Sequence, residues 1–179
     1  MAIYKVICKQ NPYQNQRNGC NRYHDDRALA SVINYVLRED KTQNQYIGAY
    51  GVGLTFPAEE MAALSRAYGK DSGLRLRHSV FSFGDSELSR LGGTEEEIYQ
   101  AAYRIADHAA GYYKDRYQIV YAVHQDGGHL NCHLVMNTVS YVDGLKYTGK
   151  KKDLYDFCNY MKPYLRDEFD LELHTHHDR

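Results

Sequence analysis

Three histidines and one aspartate lie close together in the stretch HQDGGHLNCH: His124, Asp126, His129 and His133. Neutral imidazole binds several divalent metals, and a nearby carboxylate can orient an imidazole or act as an oxygen ligand. The stretch is therefore a candidate site for a divalent metal ion. Manganese or magnesium suits a site that leaves positions open for phosphate oxygens, and zinc suits a closed ligand set. A simpler interpretation is that these are partly exposed histidines of a hairpin that bind nothing.

The residues around the glycine pair of this stretch predict a β-hairpin. Residues 117–124 and 129–142 are rich in β-branched and aromatic side chains, and the Asp-Gly-Gly between them is a turn signal. Because side chains alternate along a strand, three polar residues of the second strand share one face: His129, Asn131 and His133. Cross-strand neighbours have Cβ atoms roughly 4.5 to 5.5 Å apart, so His124 is expected to join them.

Other elements must hold this hairpin in place. Hydrophobic periodicity predicts four helices, around residues 29–37, 57–68, 94–109 and 154–165. Asp26 is the predicted N-cap of the first, and Thr94 with Glu97 forms a capping box at the third. Further strands are predicted over residues 3–8 and 76–84, and residues 46–54 are predicted to be a short glycine-rich strand or loop. The C-terminal HTHHDR is expected to be a frayed end. This order predicts an α+β fold, in which helices pack on a central, largely antiparallel sheet.

Length and composition indicate one domain over residues 1–179. No signal peptide and no apolar run of roughly 20 residues is evident, so we expect a cytoplasmic protein. With a formal net charge of -1, the chain lacks the overall positive charge that is typical of nucleic-acid-binding domains. Any contact with DNA must therefore involve local basic patches. The basic candidates are Arg75 and Arg77 in KDSGLRLRH and Lys150, Lys151 and Lys152 in KYTGKKK, while 18 tyrosines offer faces for stacking on bases.

The longer stretch HQDGGHLNCHLVMN resembles the third motif of plasmid-mobilisation relaxases of the MobA/VirD type, histidine-hydrophobe-histidine endonucleases that cut single strands. That motif reads H-x-D-x-x-x-x-H-x-H-x-x-x-N, and four residues match it: His124, Asp126, His133 and Asn137. Asn131 stands where the family usually carries a metal-binding histidine. The resemblance therefore implies a metal site of His124 and His133, completed by either Asn131 or His129.

Two further motifs support the resemblance. SVINYVLRED is similar to the first motif and points to Tyr35 as the nucleophile, while HSVFSFG is similar to the second and supplies Ser82 as a DNA contact. Helical spacing also favours Tyr35, because it places this residue on the polar face of the first helix beside Ser31 and Arg38. A hydroxyl next to a guanidinium is placed to attack a phosphate. Tyr23, in the polar segment before the helix, is the alternative nucleophile.

The resemblance implies a reaction and partners. The metal would bind the scissile phosphate of single-stranded DNA at an origin of transfer, and Tyr35 would attack it to leave a 5′-phosphotyrosine and a free 3′-OH. Asp126 would orient His124 or help to accept the tyrosine proton. The expected role is the start of conjugative mobilisation of a plasmid or integrative element, together with an accessory DNA-binding protein of a relaxosome.

Other functions are compatible with the same residues. Asn131 is the reason to consider a non-catalytic module that binds single-stranded DNA and has a decayed metal site. A rolling-circle replication initiator uses similar chemistry, although many initiators place the tyrosine after the histidines. A small zinc-dependent hydrolase would use water as the nucleophile. Relaxases generally carry further domains after the nicking domain, and the sequence leaves open whether this chain is the N-terminal part of a longer protein.

Overall fold

The computed structural model describes residues 2–7, 23–126 and 129–175, without the side chains of Asn44 and Asp126. Within these ranges, six strands form one sheet: β1 (Ala2–Val6), β2 (Ile47–Tyr50), β3 (Leu76–Phe83), β4 (Tyr117–Asp126), β5 (His129–Ser140) and β6 (Leu173–Thr175). The same ranges contain five α-helices: α1 (Asp26–Val36), α2 (Pro57–Ala67), α3 (Asp85–Leu91), α4 (Glu95–Gly111) and α5 (Lys151–Phe169). A short 3-10 turn, Asn44–Tyr46, precedes β2.

The sheet is built around the long hairpin of β4 and β5. Its strand order is β2-β4-β5-β3-β1-β6, and every neighbouring pair is antiparallel except β1 and β6. The predicted α+β fold with a largely antiparallel central sheet is therefore confirmed. The predicted hairpin is confirmed as well, with His124 directly opposite Asn131 in the register.

Helices cover both faces of the sheet. The smaller core lies beneath α1 and α2 and includes Leu29, Ile33, Met61, Val120 and Val135. The larger core lies beneath α4 and α5 and includes Phe81, Ile105, Leu134, Phe157 and Met161. Because side chains alternate along a strand, the register assigns His78, His124 and His133 to the face that α1 and α2 cover. These three histidines thus lie beside a buried apolar core rather than on an open hairpin.

The start of α1 differs by one residue from the prediction. The N-cap is Asp25, whose carboxylate accepts a hydrogen bond of 2.7 Å from the backbone N–H of Ala28. Asp26 is instead the first helical residue, and its carboxylate pairs with Arg66 and Arg75. The capping box of Thr94 and Glu97 at α4 is confirmed.

Two elements were not predicted from the sequence. α3 has seven residues, which is too short for a hydrophobic period to stand out. β6 replaces part of the expected frayed end, because His174 pairs in parallel with Ile3 of β1. A three-residue strand whose partner lies at the other end of the chain leaves no local signal. Residues 8–22 and 176–179, which include most of the polar segment before the first helix, lie outside the described residues.

Asn137 joins α2 to the sheet. Its side chain is fully buried, and its amide donates to the carbonyl of Met61 at 3.1 Å and to Oε1 of Gln118 at 3.0 Å. Its Oδ1 accepts from the backbone N–H of Val139 at 3.0 Å. The asparagine that ends the histidine motif therefore has contacts that hold the fold together.

We expect Asn137→Ala to lower the free energy of unfolding by about 3 kcal/mol, because it leaves several buried polar groups without partners. Urea denaturation followed by circular dichroism measures this loss. Asn34→Ala, at an exposed position of α1, is the matched control and is expected to change stability by less than about 0.5 kcal/mol. Equal stabilities for the two variants would contradict the structural role of Asn137.

Candidate active site

Three buried imidazoles form a cluster on the α1–α2 face of the sheet. The ring centroids of His124 and His133 lie 4.5 Å apart. On the neighbouring strand, Nε2 of His78 lies 3.0 Å from Nδ1 of His133, within hydrogen-bond distance. All three side chains are at most 5% exposed. Three adjacent strands, β4, β5 and β3, thus contribute one imidazole each.

Tyr35 packs against this cluster from α1. Its ring centroid lies 5.6 Å from that of His124 and 5.6 Å from that of His133, with interplanar angles of 70° and 83°. Edge-to-face contact at this distance is a favourable arrangement of aromatic rings. Tyr35 is half-buried, so it does not stand on an open polar face. Arg38, its predicted neighbour, lies beyond the end of α1 and forms a bidentate ion pair with Asp40.

A hydrogen bond fixes the end of α1 to the cluster. Nε2 of His124 lies 2.6 Å from the backbone carbonyl of Val36, the residue after Tyr35. A carbonyl can only accept, so Nε2 of His124 carries the hydrogen and donates it. The last carbonyls of a helix lack partners within the helix, and His124 supplies a hydrogen-bond donor to one of these carbonyls. This bond ties the backbone next to Tyr35 to β4.

The same contacts limit the charge of the cluster. In neutral His124 the proton on Nε2 leaves Nδ1 as the nitrogen with a lone pair. The short contact between His78 and His133 needs one donor and one acceptor, so this pair holds at most one positive charge while the contact is formed. At least one of these two rings is therefore a neutral imidazole.

Lys41 brings a positive charge to the nucleophile candidate. Its Nζ lies 5.7 Å from the centre of the Tyr35 ring. Its backbone carbonyl accepts a bond of 3.3 Å from the N–H of Gln125, which holds the loop after α1 against β4. An ammonium at this place favours negative charge on the phenol or on a phosphate next to it. No spacing or motif in the sequence pointed to Lys41.

His78 is the second site residue that sequence reasoning missed. A signal was present, because His78 and Ser82 are four positions apart in one predicted strand and therefore share a face. Ser82 itself donates from its hydroxyl to Oδ1 of Asn131 at 2.7 Å. The second and third motifs thus meet across β3 and β5.

The two candidates for the third metal ligand are placed differently. Asn131 lies on the same rung as His124, but its amide oxygen accepts the hydrogen bond from Ser82. His129 is exposed near the turn and lies opposite Asp126. Among the residues whose side chains are described, no three histidine, cysteine or acidic groups are arranged to hold a metal ion. The described side chains therefore do not by themselves complete a metal site.

The remaining predicted residues divide by location. The side chain of Tyr23 is 7% exposed and lies in the smaller core, so it is poorly placed to reach a DNA strand. Arg75 is buried and paired with Asp26, and its contact with DNA stays a prediction. Arg77 alternates with His78 along β3 and therefore points to the opposite face of the sheet. The lysines Lys150, Lys151 and Lys152 lie at the start of α5.

One family model matches most of the chain. The family model described as relaxase, MobA/VirD2-like, nuclease domain matches residues 35–168, a span that begins at Tyr35 and contains the whole histidine cluster. The chain belongs to this family of relaxase nuclease domains. Membership of this family suggests DNA nicking for mobilisation. Relaxase domains bind single-stranded DNA at an origin of transfer, and the family generally uses a divalent metal ion.

No curated protein and no solved structure matches the chain significantly. In the part of the chain that the structure describes, no helix combines the length and the apolar character needed to cross a bilayer.

We expect Asn131→His to raise the affinity for Mn²⁺ or Zn²⁺ roughly tenfold or more, because it places a third imidazole directly opposite His124. Isothermal titration calorimetry with the metal alone measures this change. Adding His124→Ala to the variant is expected to remove the gain. An affinity that does not respond to Asn131→His would show that this position takes no part in metal binding.

Proposed function

We propose that this chain nicks one strand of DNA by transesterification, with Tyr35 as the nucleophile and the residues around it as the active site. The observation that supports this most strongly is the contact of one tyrosine ring with two imidazoles from the family's histidine motif. Among the residues described, Tyr35 is the tyrosine that combines this contact with partial exposure and a nearby ammonium. Tyr23, the alternative, is buried.

The proposed step forms one bond and breaks one bond. The phenol oxygen of Tyr35 attacks the phosphorus of the scissile phosphodiester, and the bond from phosphorus to the 3′-oxygen breaks. The products are a 5′-phosphotyrosine and a DNA 3′-OH, which receives a proton. The reverse attack by a 3′-OH rejoins strands without ATP, because one phosphate diester is exchanged for another of similar energy.

The reaction needs a base for the phenolic proton, since a phenol with an ordinary pKa near 10 is a weak nucleophile at neutral pH. His124, which contacts the Tyr35 ring, and Asp126 are the proposed candidates. Lys41 is proposed to stabilise the negative charge that develops between phenol and phosphate. His78 holds His133 and acts as a positioning residue.

The biological role follows from the family. We propose that the nick is made at a specific site in an origin of transfer and starts conjugative mobilisation of a plasmid or integrative element. An accessory DNA-binding protein is the expected partner on the duplex around that site.

A second candidate function has one observation in its favour. The amide oxygen of Asn131 is held by Ser82, and the described residues do not complete a metal site. A module that binds single-stranded DNA without cutting it would have this arrangement and would leave no covalent product. Its binding would be the same in the presence and absence of a chelator.

We expect an SDS-resistant protein–DNA adduct when the protein is mixed with Mn²⁺ and single-stranded DNA that carries many candidate sites. Mass spectrometry of the attached peptide should identify Tyr35, and Tyr35→Phe should abolish the adduct. Tyr23→Phe removes the same hydroxyl from a buried ring and is expected to leave the adduct in place. An adduct on Tyr23 would keep the function and overturn the nucleophile. Absence of any adduct on DNA from the cognate origin would favour the binding module.

We expect His124→Gln to slow adduct formation by about 100-fold or more, because it removes an imidazole that contacts Tyr35 while keeping a donor for the Val36 carbonyl. His174→Gln makes the same change on the edge strand β6, away from the histidine cluster, and is expected to react within about twofold of the unchanged protein. Single-turnover rates measure both, and thermal unfolding checks that His124→Gln is folded. Equal rates for the two variants would show that His124 takes no part in the active site.

A further inference from the structure

A cavity of about 620 Å³ lies on the opposite side of the sheet from the histidine cluster. We call it the α5 pocket, and its defining residues are Arg77, Tyr147, Lys150, Lys151, Tyr155 and Lys162. Ligand pockets in proteins commonly have volumes of about 300 to 1,000 Å³, so the space is sufficient for a small ligand.

One face of α5 forms the wall of this pocket. The lining residues of the helix recur at helical spacing, from Lys151 through Leu154, Tyr155 and Cys158 to Lys162. Leu154 and Cys158 join the larger core and give the pocket an apolar floor. Tyr155 is 65% exposed, which leaves its ring available at the mouth.

The charge of the pocket is strongly positive. Among the described residues that line it, four are basic and none is acidic. The positive end of the α5 helix dipole lies at Lys151 and adds to this field. Burial raises the pKa of Tyr147 to about 12, so its phenol is neutral near pH 7 and does not cancel the positive charge.

Arg77 is a buried cation in the pocket wall. It is 8% exposed, its guanidinium lies 5.0 Å from the centre of the Tyr147 ring, and its Nη1 donates to the Tyr147 hydroxyl at 3.1 Å. Its Nε–H has no hydrogen-bond partner among the described residues. Gly149 has a φ of +62°, and a Cβ there would lie 3.2 Å from Nη1 of Arg77. Glycine thus lets the loop lie close against the guanidinium.

We infer that the α5 pocket binds one nucleotide unit, a phosphate that carries an aromatic base, from the DNA strand. The phosphate would be held by Lys150, Lys151 and Lys162, and the base would lie on the apolar floor and against the Tyr155 ring. Basic side chains next to aromatic faces are the arrangement by which proteins bind single strands. The assignment of this nucleotide to the DNA strand rests on the proposed function, because a free nucleotide has the same chemistry.

The lysine run at the start of α5 provides an internal control. Lys150 and Lys151 line the pocket. Lys152 is absent from its lining, and its ammonium is paired with Asp156 one turn along the helix. Of the three lysines predicted to contact DNA, two therefore line the pocket and the third pairs with another residue.

The test measures binding in the Tyr35→Phe background, where no adduct can form through that residue. Fluorescence polarisation with a labelled dT 12-mer, over a range of salt, is compared for Lys151→Ala and Lys152→Ala. Lys151→Ala is expected to weaken binding about tenfold and to reduce the salt slope by about 0.7, the loss of one single-strand phosphate contact. Lys152→Ala is expected to stay within about twofold. Equal effects of the two variants would overturn the pocket as a specific site.

A second comparison separates the base from the phosphate. Tyr155→Ala is expected to weaken binding of the dT 12-mer about fivefold or more, through loss of stacking, and to leave binding of an abasic 12-mer unchanged. No effect on the dT 12-mer would overturn the inference. Binding of thymidine 5′-monophosphate that depends on Lys151 and Tyr155, without matching losses for the strand, would overturn the DNA strand as the ligand and assign the pocket to a free nucleotide.

Failure of the pocket and failure of nicking give different results. If Tyr35 forms the adduct but Lys151→Ala behaves like Lys152→Ala, the pocket is overturned and the nicking function stands. If no adduct forms but the pocket variants lose affinity as expected, the nucleotide site stands and the nicking function fails.

Discussion

The hydrogen bond from Nε2–H of His124 to the carbonyl of Val36 determines where the rest of the candidate active site lies. It is 2.6 Å long and fully buried, and it joins the last turn of α1 to β4. A helix end and a strand of the central hairpin are thereby fixed at one point. Tyr35 precedes Val36, so its ring is held against His124 and His133 instead of turning into solvent.

This bond also determines what His124 can do chemically. The nitrogen that faces the helix is a donor, so the other nitrogen is the one with a lone pair in the neutral ring. On the adjacent strand, His78 plays a comparable part for His133, because their ring nitrogens are 3.0 Å apart. A histidine whose second nitrogen is occupied keeps one orientation and one tautomer, which is the usual way in which functional imidazoles are positioned.

Asn131 stands where the resemblance leads one to expect a metal-binding histidine, and the structure shows what the asparagine contacts. Its side chain lies on the rung of His124, and its oxygen accepts a hydrogen bond from Ser82. An amide can form such a bond across the strands without a metal. The two histidines of the motif therefore lie together, and the residue at the third position forms a hydrogen bond between β5 and β3.

Local patterns in the sequence predicted much of the fold. The alternation of residues 129–133 and the Thr94–Glu97 capping box each depend on neighbours within a few positions, and both are present in the structure. β6 was not predicted because its pairing partner Ile3 lies at the other end of the chain. α3 was not predicted because seven residues are too few to show a period.

The candidate site was predictable to a similar extent. Tyr35, His124 and His133 come from motifs and lie together. His78 shares a strand face with Ser82, but its contact with His133 depends on strand pairing, and Lys41 reaches the site through a loop that no local pattern encodes. Lys151 lines a pocket, whereas Lys152 pairs with Asp156. This difference likewise depends on the direction in which each side chain points from α5.

The most direct test of the central claim, that His124 holds Tyr35 against the histidine cluster, is an NMR measurement on protein with ¹⁵N-labelled histidine. Long-range ¹H–¹⁵N correlation should show His124 in the Nε2–H tautomer, and nuclear Overhauser effects should connect the Tyr35 ring protons with the ring protons of both His124 and His133. An Nδ1–H tautomer for His124, or the absence of these contacts from Tyr35, would contradict the claim.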